Sequence, residues 1–229
     1  MIPLRHTHPT RTTPVVNRAL VLANVAVFLV QIFLGPRAEA FIQTFGYMPA
    51  RLFHPSAFGF APWEAVLTLF TSLFLHGGFV HLFGNMIYLW VFGGAVEDAL
   101  GHLRYLLFYV FCGAVGSMSH SLIFSGSMVP SIGASGSIAG VLGAFLVLSP
   151  GAHIVTLFPL VVYWAMAEIR AALFLPIWFG MQFFNGFLSL AAARGTQEVA
   201  GVAWWAHVGG FLFGAAVAGV VRMNRRPAS

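Results

Sequence analysis

The sequence predicts an all-α polytopic membrane protein with six transmembrane helices, and two observations lead to that prediction. Hydrophobic residues make up 59% of the 229 residues and charged residues only 7%, against about 25% charged in soluble domains. Charges are also absent from segments long enough to hold helices of about 20 apolar residues. A soluble domain, a disordered chain, a coiled coil and a disulfide scaffold are therefore excluded, the last because the chain has one cysteine.

Turn-forming residues divide the uncharged segments into helices. Within the longest of them, residues 105–167, the breaks are Ser125 to Pro130 and Ser149-Pro150-Gly151. Histidine and two glycines at 76–78 separate a short apolar segment from a longer one. The resulting predicted helices are 19–35, 80–98, 104–124, 135–149, 170–192 and 204–222.

The arginines predict the orientation of these helices. Residues 1–18 carry three arginines and no acid, so we expect a cytoplasmic tail, followed by a membrane domain at 19–222 and a cytoplasmic tail at 223–229. This orientation puts eight of the eleven arginines and both termini on the inner side. The arginines form no clustered basic face, which argues against nucleic-acid binding.

Two segments do not fit simple membrane crossings. Residues 154–167 are apolar but too short to span, so we expect an interfacial or re-entrant segment. Residues 36–79 are rich in proline and aromatic side chains, which predicts a structure lying in the outer interface. At the inner end of the second helix, Glu97 and Asp98 are expected to form a charge cluster with Arg104.

Polar side chains within the apolar segments are the candidate functional residues, because burying them in hydrocarbon is costly. Four stand out, and in the predicted topology all lie in the outer third of the bilayer: His81, Asn85, Ser135 and His207.

Ser135 and His207 have the chemistry of a nucleophile and its base. A serine hydroxyl is a poor nucleophile without an adjacent base, and His207 is the available one. Small residues recur every fourth position in the helices that carry them, which predicts close packing of those helices. These are Gly136, Gly140 and Ala144 in the fourth helix, and Ala206, Gly210, Gly214 and Ala218 in the sixth. We therefore expect the hydroxyl and the imidazole within hydrogen-bond reach.

The second helix supplies possible oxyanion donors. His81 and Asn85 are four residues apart and share a helix face, while His76 precedes the helix and is expected to fix the loop. The acid on the outer side near His207 is Glu198, which belongs to a loop, so we predict a dyad rather than a triad.

Each of these residues also has a structural interpretation. Serine at a helix start is commonly a cap, and a membrane histidine commonly bonds to a neighbouring helix. His76 and His81 could be metal ligands, but the sequence has no His-Glu-x-x-His and no acid cluster. We therefore expect neither a metal nor an organic cofactor.

Three motifs together resemble those of the rhomboid intramembrane serine proteases. The motifs are His81-Leu-Phe-Gly-Asn85, Gly133-Ala-Ser135-Gly136, and Ala206-His207-Val-Gly-Gly210 with Gly214. Their order and spacing also fit, and the resemblance covers about residues 15–222.

The resemblance implies a rhomboid-like six-helix fold with Ser135 as nucleophile and His207 as general base. It implies an oxyanion hole from the Ser135 N–H, His81 and Asn85, supported by Gly133, Gly136 and Gly210. The substrates would be transmembrane proteins cleaved in or near their membrane segment, in the lipid bilayer. Bulky residues that resemble the family's substrate gate are Trp178, Phe179, Phe183 and Phe184.

The resemblance also implies a minimal prokaryotic form in the bacterial cytoplasmic membrane, with the oligomeric state left open. In one departure, Trp63-Glu64 stands where several members have Trp-Arg, so the anchoring of the first loop is unassigned. Two other function classes stay open. One is a non-catalytic adaptor that retains client helices; the other is a transporter, disfavoured because no internal repeats or midplane charges are seen.

Overall fold

The computed structural model describes residues 1–159, 164–193 and 201–224, and within them it is mostly helical. The helices are α1 (Val15–Phe33), α2 (Ala38–Phe45), α3 (Pro49–Phe53), α4 (Pro62–Thr71), α5 (Phe79–Leu100), α6 (His102–Ile123), α7 (Ser135–Leu148), α8 (Ala171–Ala192) and α9 (Trp204–Asn224). The strands are β1 (Ile2–His6), β2 (His153–Pro159) and β3 (Trp164–Arg170).

Each of the six helices predicted from the sequence is present, with ends that differ from the prediction by at most four residues. Five of them, α1, α5, α6, α8 and α9, are long and apolar enough to cross a membrane. The sixth, α7, has 14 residues, which gives a length of about 21 Å. Residues 136–145 of α7 are all buried, so this short helix forms the centre of the bundle.

Glycines bring α6, α7 and α9 into backbone contact around this centre. A Cβ added at Gly214 would lie 2.1 Å from the carbonyl oxygen of Gly140, and one added at Gly116 would lie 2.5 Å from that of Ala206. No side chain larger than hydrogen fits at these positions without moving a helix. The close packing that the spacing of small residues predicts between α7 and α9 is therefore present.

A three-stranded antiparallel sheet departs from the all-α prediction. The strand order is β1-β2-β3, with Ile2 opposite Leu157 and His153 opposite Arg170. Residues 2–6 lie in the predicted amino-terminal tail, and β2 with β3 takes up most of the segment expected to be interfacial or re-entrant. Pairing satisfies the backbone of a segment too short to span as a helix. The sheet lies between two helices, with β1 against α5, and β2 and β3 against α8.

The acids at the end of α5 bind the start of α1, and the basic side chain that pairs with Glu97 is His102 at the start of α6 rather than Arg104. The buried Glu97 carboxylate accepts hydrogen bonds from the backbone N–H groups of Val16 (3.0 Å) and Asn17 (2.7 Å) and pairs with His102. Asp98 accepts from the N–H of Thr12 at 2.8 Å. The Glu97 carboxylate is favoured there because the first N–H groups of a helix have no partner within it.

Arg51 anchors the loop between α1 and α5, which answers the question raised by Trp63-Glu64. Its side chain is 4% exposed, and its guanidinium donates to the carbonyl oxygens of Gln43 (2.6 Å) and Gly46 (3.3 Å). The guanidinium carbon also lies 4.2 Å from the centre of the Phe60 ring. The loop is thus held by an arginine 13 positions before Glu64 in the chain.

Candidate active site

Ser135 and His207 meet where α7 and α9 begin. Ser135 is the first residue of α7, and His207 lies in the first turn of α9. The Ser135 Oγ is 2.8 Å from the His207 Nε2, a hydrogen-bond distance. The contact between Gly210 and the Gly136 carbonyl holds the helices close enough for this bond.

Gln182 on α8 forms a hydrogen bond with the other ring nitrogen of His207. Its Oε1 is 2.8 Å from the His207 Nδ1, and its amide Nε2 donates to the carbonyl oxygen of Trp178 at 3.3 Å. The sequence alone predicts no partner for this nitrogen. A single glutamine 25 residues before His207 forms no motif with it. The one indication in the sequence is that Gln182 is a polar residue within a membrane helix, where burying polar groups is costly.

His81 and Asn85 approach Gly133, two residues before Ser135. A Cβ added at Gly133 would lie 2.7 Å from the His81 Nε2 and 3.4 Å from the Asn85 Nδ2, and the φ of +121° also favours glycine. Both donors therefore face the same loop, as their shared helix face predicts. Helix α7 begins two residues after Gly133, and the N–H groups of its first turn have no partner within the helix.

His76 orients Asn85. Its Nε2 lies 3.0 Å from the Asn85 Nδ2, and burial together with the nearby His81 lowers the pKa of His76 to about 4. The ring is thus neutral at neutral pH, and its Nε2 accepts a hydrogen bond from the Asn85 amide. The Gln31 side chain on α1 binds both the N–H and the carbonyl of His76, each at 3.0 Å.

A cavity of about 430 Å³ opens onto this group. Its walls include all four polar residues that the sequence analysis places at one depth, His81, Asn85, Ser135 and His207. Ser72, Ser117 and Ser131 also line it. A carbonyl group held here could contact both the serine oxygen and the amide donors.

The four residues predicted as a gate divide into two pairs. The Trp178 ring lies 6.1 Å from the His207 ring, and Phe179 lies 4.8 Å from Phe211 of α9. Phe183 and Phe184 are instead 49% and 60% exposed on α8. Trp178 therefore lies beside the site, whereas Phe183 and Phe184 are largely exposed, with the Phe183 ring packing edge-on against Trp205 of α9.

In the described ranges, no three His, Cys, Asp or Glu side chains are close enough together to hold a metal ion. Glu198, the acid considered as a third member, lies outside the described residues. The groups that the structure does gather are a serine, an imidazole and amide donors, a set suited to acyl transfer.

Fold and site together define a helical membrane protein with a serine–imidazole pair in a polar cavity. Residues 63–224 match the model of the Rhomboid domain. The chain belongs to the rhomboid family, whose members are generally intramembrane serine proteases, and it is a multi-pass membrane protein.

Curated relatives come from plants, bacteria and an animal. The chain is 29% identical over 167 residues to the Arabidopsis thaliana protein "RHOMBOID-like protein 6, mitochondrial", covering 62% of this chain and 54% of the relative. It is 33% identical over 147 residues to Arabidopsis RHOMBOID-like protein 2, covering 53% and 46%. It is 47% identical over 78 residues to rhomboid protease GluP of Bacillus subtilis, covering 34% and 15%. The chain thus spans about half the length or less of these relatives.

Proposed function

We propose that this protein is a serine endopeptidase that hydrolyses a peptide bond in or near the transmembrane segment of other membrane proteins. Ser135 is the nucleophile and His207 the general base. The observation that carries the proposal is the 2.8 Å contact between the Ser135 Oγ and the His207 Nε2 in a polar cavity. Membership of the rhomboid family supports it.

The reaction has two halves. In the first, the Ser135 Oγ attacks the substrate carbonyl carbon while its proton passes to the His207 Nε2. The imidazolium then gives that proton to the leaving amine, and an acyl-enzyme remains. In the second half, His207 takes a proton from water and the hydroxide attacks the ester carbonyl carbon. The imidazolium then gives the proton to the Ser135 Oγ as the ester C–O bond breaks, which releases the carboxylic acid product and restores the serine hydroxyl. The chemistry requires neither a metal nor an organic cofactor.

The negative charge that develops on the substrate oxygen needs hydrogen-bond donors. The donors are the N–H of Ser135 and the side chains of Asn85 and His81, which meet around Gly133. His76 leaves one of the two amide N–H bonds of Asn85 for this purpose, because it accepts the other.

The proposed membrane arrangement is six crossings, with both termini in the cytoplasm and the site toward the outer side. The helix starts of α5, α7 and α9 then lie on one side, where the residues of the site meet. The arginine distribution supports this orientation. We propose that the protein lies in a bacterial cytoplasmic membrane. Its proposed substrates are transmembrane proteins, which would enter the site beside α8.

A cleavage assay in liposomes tests the proposal. Wild type, Ser135→Ala and His207→Ala are reconstituted with single-span membrane proteins, and fragments are followed on gels. Ser189→Ala is the matched control, because the Ser189 hydroxyl bonds the Gly186 carbonyl of its own helix.

We expect cleavage by the wild type and Ser189→Ala, and none by the other two variants. Cleavage by Ser135→Ala at the wild-type rate would contradict the mechanism. Binding of client proteins by a folded wild type, without cleavage of any, would point to an adaptor instead.

A further inference from the structure

Gln182 is a buried side chain on α8 that contacts the base of the proposed reaction and not the nucleophile. Its side chain is 7% exposed, and it reaches His207 from a neighbouring helix. The base is therefore held in place by an element other than its own.

Hydrogen bonding fixes which way the Gln182 amide faces. The carbonyl oxygen of Trp178 can only accept, so the NH₂ group of Gln182 points to it and the Oε1 points to His207. An amide oxygen also can only accept. The His207 Nδ1 must therefore carry a hydrogen and donate it to Gln182.

The tautomer of His207 follows from this bond. In a neutral imidazole one nitrogen carries the hydrogen and the other a lone pair. With the hydrogen on Nδ1, the lone pair is on Nε2, which faces the Ser135 hydroxyl. That is the tautomer able to accept the serine proton.

We infer that Gln182 is a positioning residue that selects the reactive tautomer of His207 and fixes the plane of its ring. The inference rests on the proposed roles of Ser135 and His207. When Nε2 takes the serine proton, the ring becomes a cation whose Nδ1–H still donates to the Gln182 Oε1. Gln182 itself gains and loses no proton.

Gln182→Met tests the inference, because methionine has a similar length and shape but offers no amide oxygen. Asn185→Leu is the matched control: Asn185 lies one turn further along α8, and its amide donates to the Met181 carbonyl of its own helix at 2.8 Å. We expect Gln182→Met to lower kcat roughly 10- to 100-fold, with KM changed by less than about threefold. Asn185→Leu should keep the wild-type kcat and KM.

Gln182→Glu provides a readout that a purely structural role would not move. A carboxylate at this position still accepts from Nδ1, but it favours the protonated imidazole. The other titratable side chains near His207 are His81 on α5 and His120 on α6, and both stay unchanged. We therefore expect the acid limb of the kcat/KM profile to move to higher pH, with activity recovered above that limb.

Three results separate the possible failures. Wild-type kcat in Gln182→Met, with Ser135→Ala inactive, overturns the role of Gln182 alone. Full activity in Ser135→Ala overturns the proposed function and leaves Gln182 no base to position. If Gln182→Met does not fold, the pH profile of Gln182→Glu decides, and an acid limb at the wild-type pH overturns the inference.

Discussion

Adding one methyl group at Gly210 should separate the two helices that carry the site. A Cβ at this position would lie 2.1 Å from the carbonyl oxygen of Gly136, about 1.3 Å closer than ordinary contact allows. The obstacle is a backbone atom, which no side-chain rotation can remove. Gly210→Ala must therefore push α9 from α7 beside Ser135 and His207.

The expected loss follows from the geometry of the Ser135–His207 bond. A shift of about 1 Å takes its 2.8 Å distance beyond the hydrogen-bond range. Displacements of that size cost about 100-fold in rate, and overpacking costs about 1–3 kcal/mol of stability. The assay is kcat on a single-span substrate in liposomes, together with the thermal unfolding midpoint of each variant.

Gly219→Ala is the control on the same helix, because a Cβ there would meet no atom within 4 Å. It should keep the activity and unfolding midpoint of the wild type. A Gly210→Ala protein with wild-type kcat would refute the reasoning, since the helix contact would then not set the distance between base and nucleophile.

Three further perturbations follow from the same structure. Gly133→Ala places a methyl group 2.7 Å from the His81 Nε2, on a backbone whose positive φ favours glycine. Because this displaces the oxyanion donors, kcat should fall about 100-fold. Both kcat and the thermal unfolding midpoint are measured. Arg51→Met removes the donor to three carbonyl groups of the first loop and should lower the free energy of unfolding by about 2–3 kcal/mol, measured by thermal unfolding. The third is the pH dependence of stability at His76. Its folded pKa of about 4 lies below the usual 6.5, so the unfolded chain takes up the proton first. The contribution of His76 to the free energy of unfolding should thus be fully present above pH 6.5 and be lost, by about 3 kcal/mol, as the pH falls through 4. The acid-induced loss should be smaller in His76→Gln.

Each of these has a contradicting outcome. The control for Gly133→Ala is Gly180→Ala, because a Cβ at Gly180 would meet no atom within 4 Å. Equal activity of the two variants would argue against a role for the Gly133 backbone in holding the oxyanion donors. An unchanged unfolding midpoint in Arg51→Met would mean that other contacts hold the loop. An equal acid loss in wild type and His76→Gln would assign the pH dependence to other groups.

The sequence predicts the helices and the central pair because both depend on local patterns. Long uncharged segments set the helices, and small residues every fourth position bring α7 and α9 together. The same spacing predicts Ser135 beside His207, and the helical period predicts His81 and Asn85 on one face. Each prediction needed information from one helix, or from two helices with matching repeats.

The sheet and the Gln182 contact could not be predicted in this way. Strand β1 pairs with a segment about 150 residues later, and its five residues include Pro3 and Arg5, which do not show a strand pattern. Gln182 meets His207 because of how α8 packs on α9, which no residue spacing encodes. The bonds from Glu97 to the start of α1 could not be predicted for the same reason, since residues 16 and 17 are distant in sequence.

The most direct test of the central claim is labelling with a fluorescent phosphonate, which reacts with activated serines. Wild type, Ser135→Ala and His207→Ala are compared in lipid, and the modified residue is identified by mass spectrometry. The account predicts label on Ser135 of the wild type, none in Ser135→Ala and strongly reduced label in His207→Ala. An unlabelled wild type that is folded and accessible to the probe, or label on a different serine, would contradict it.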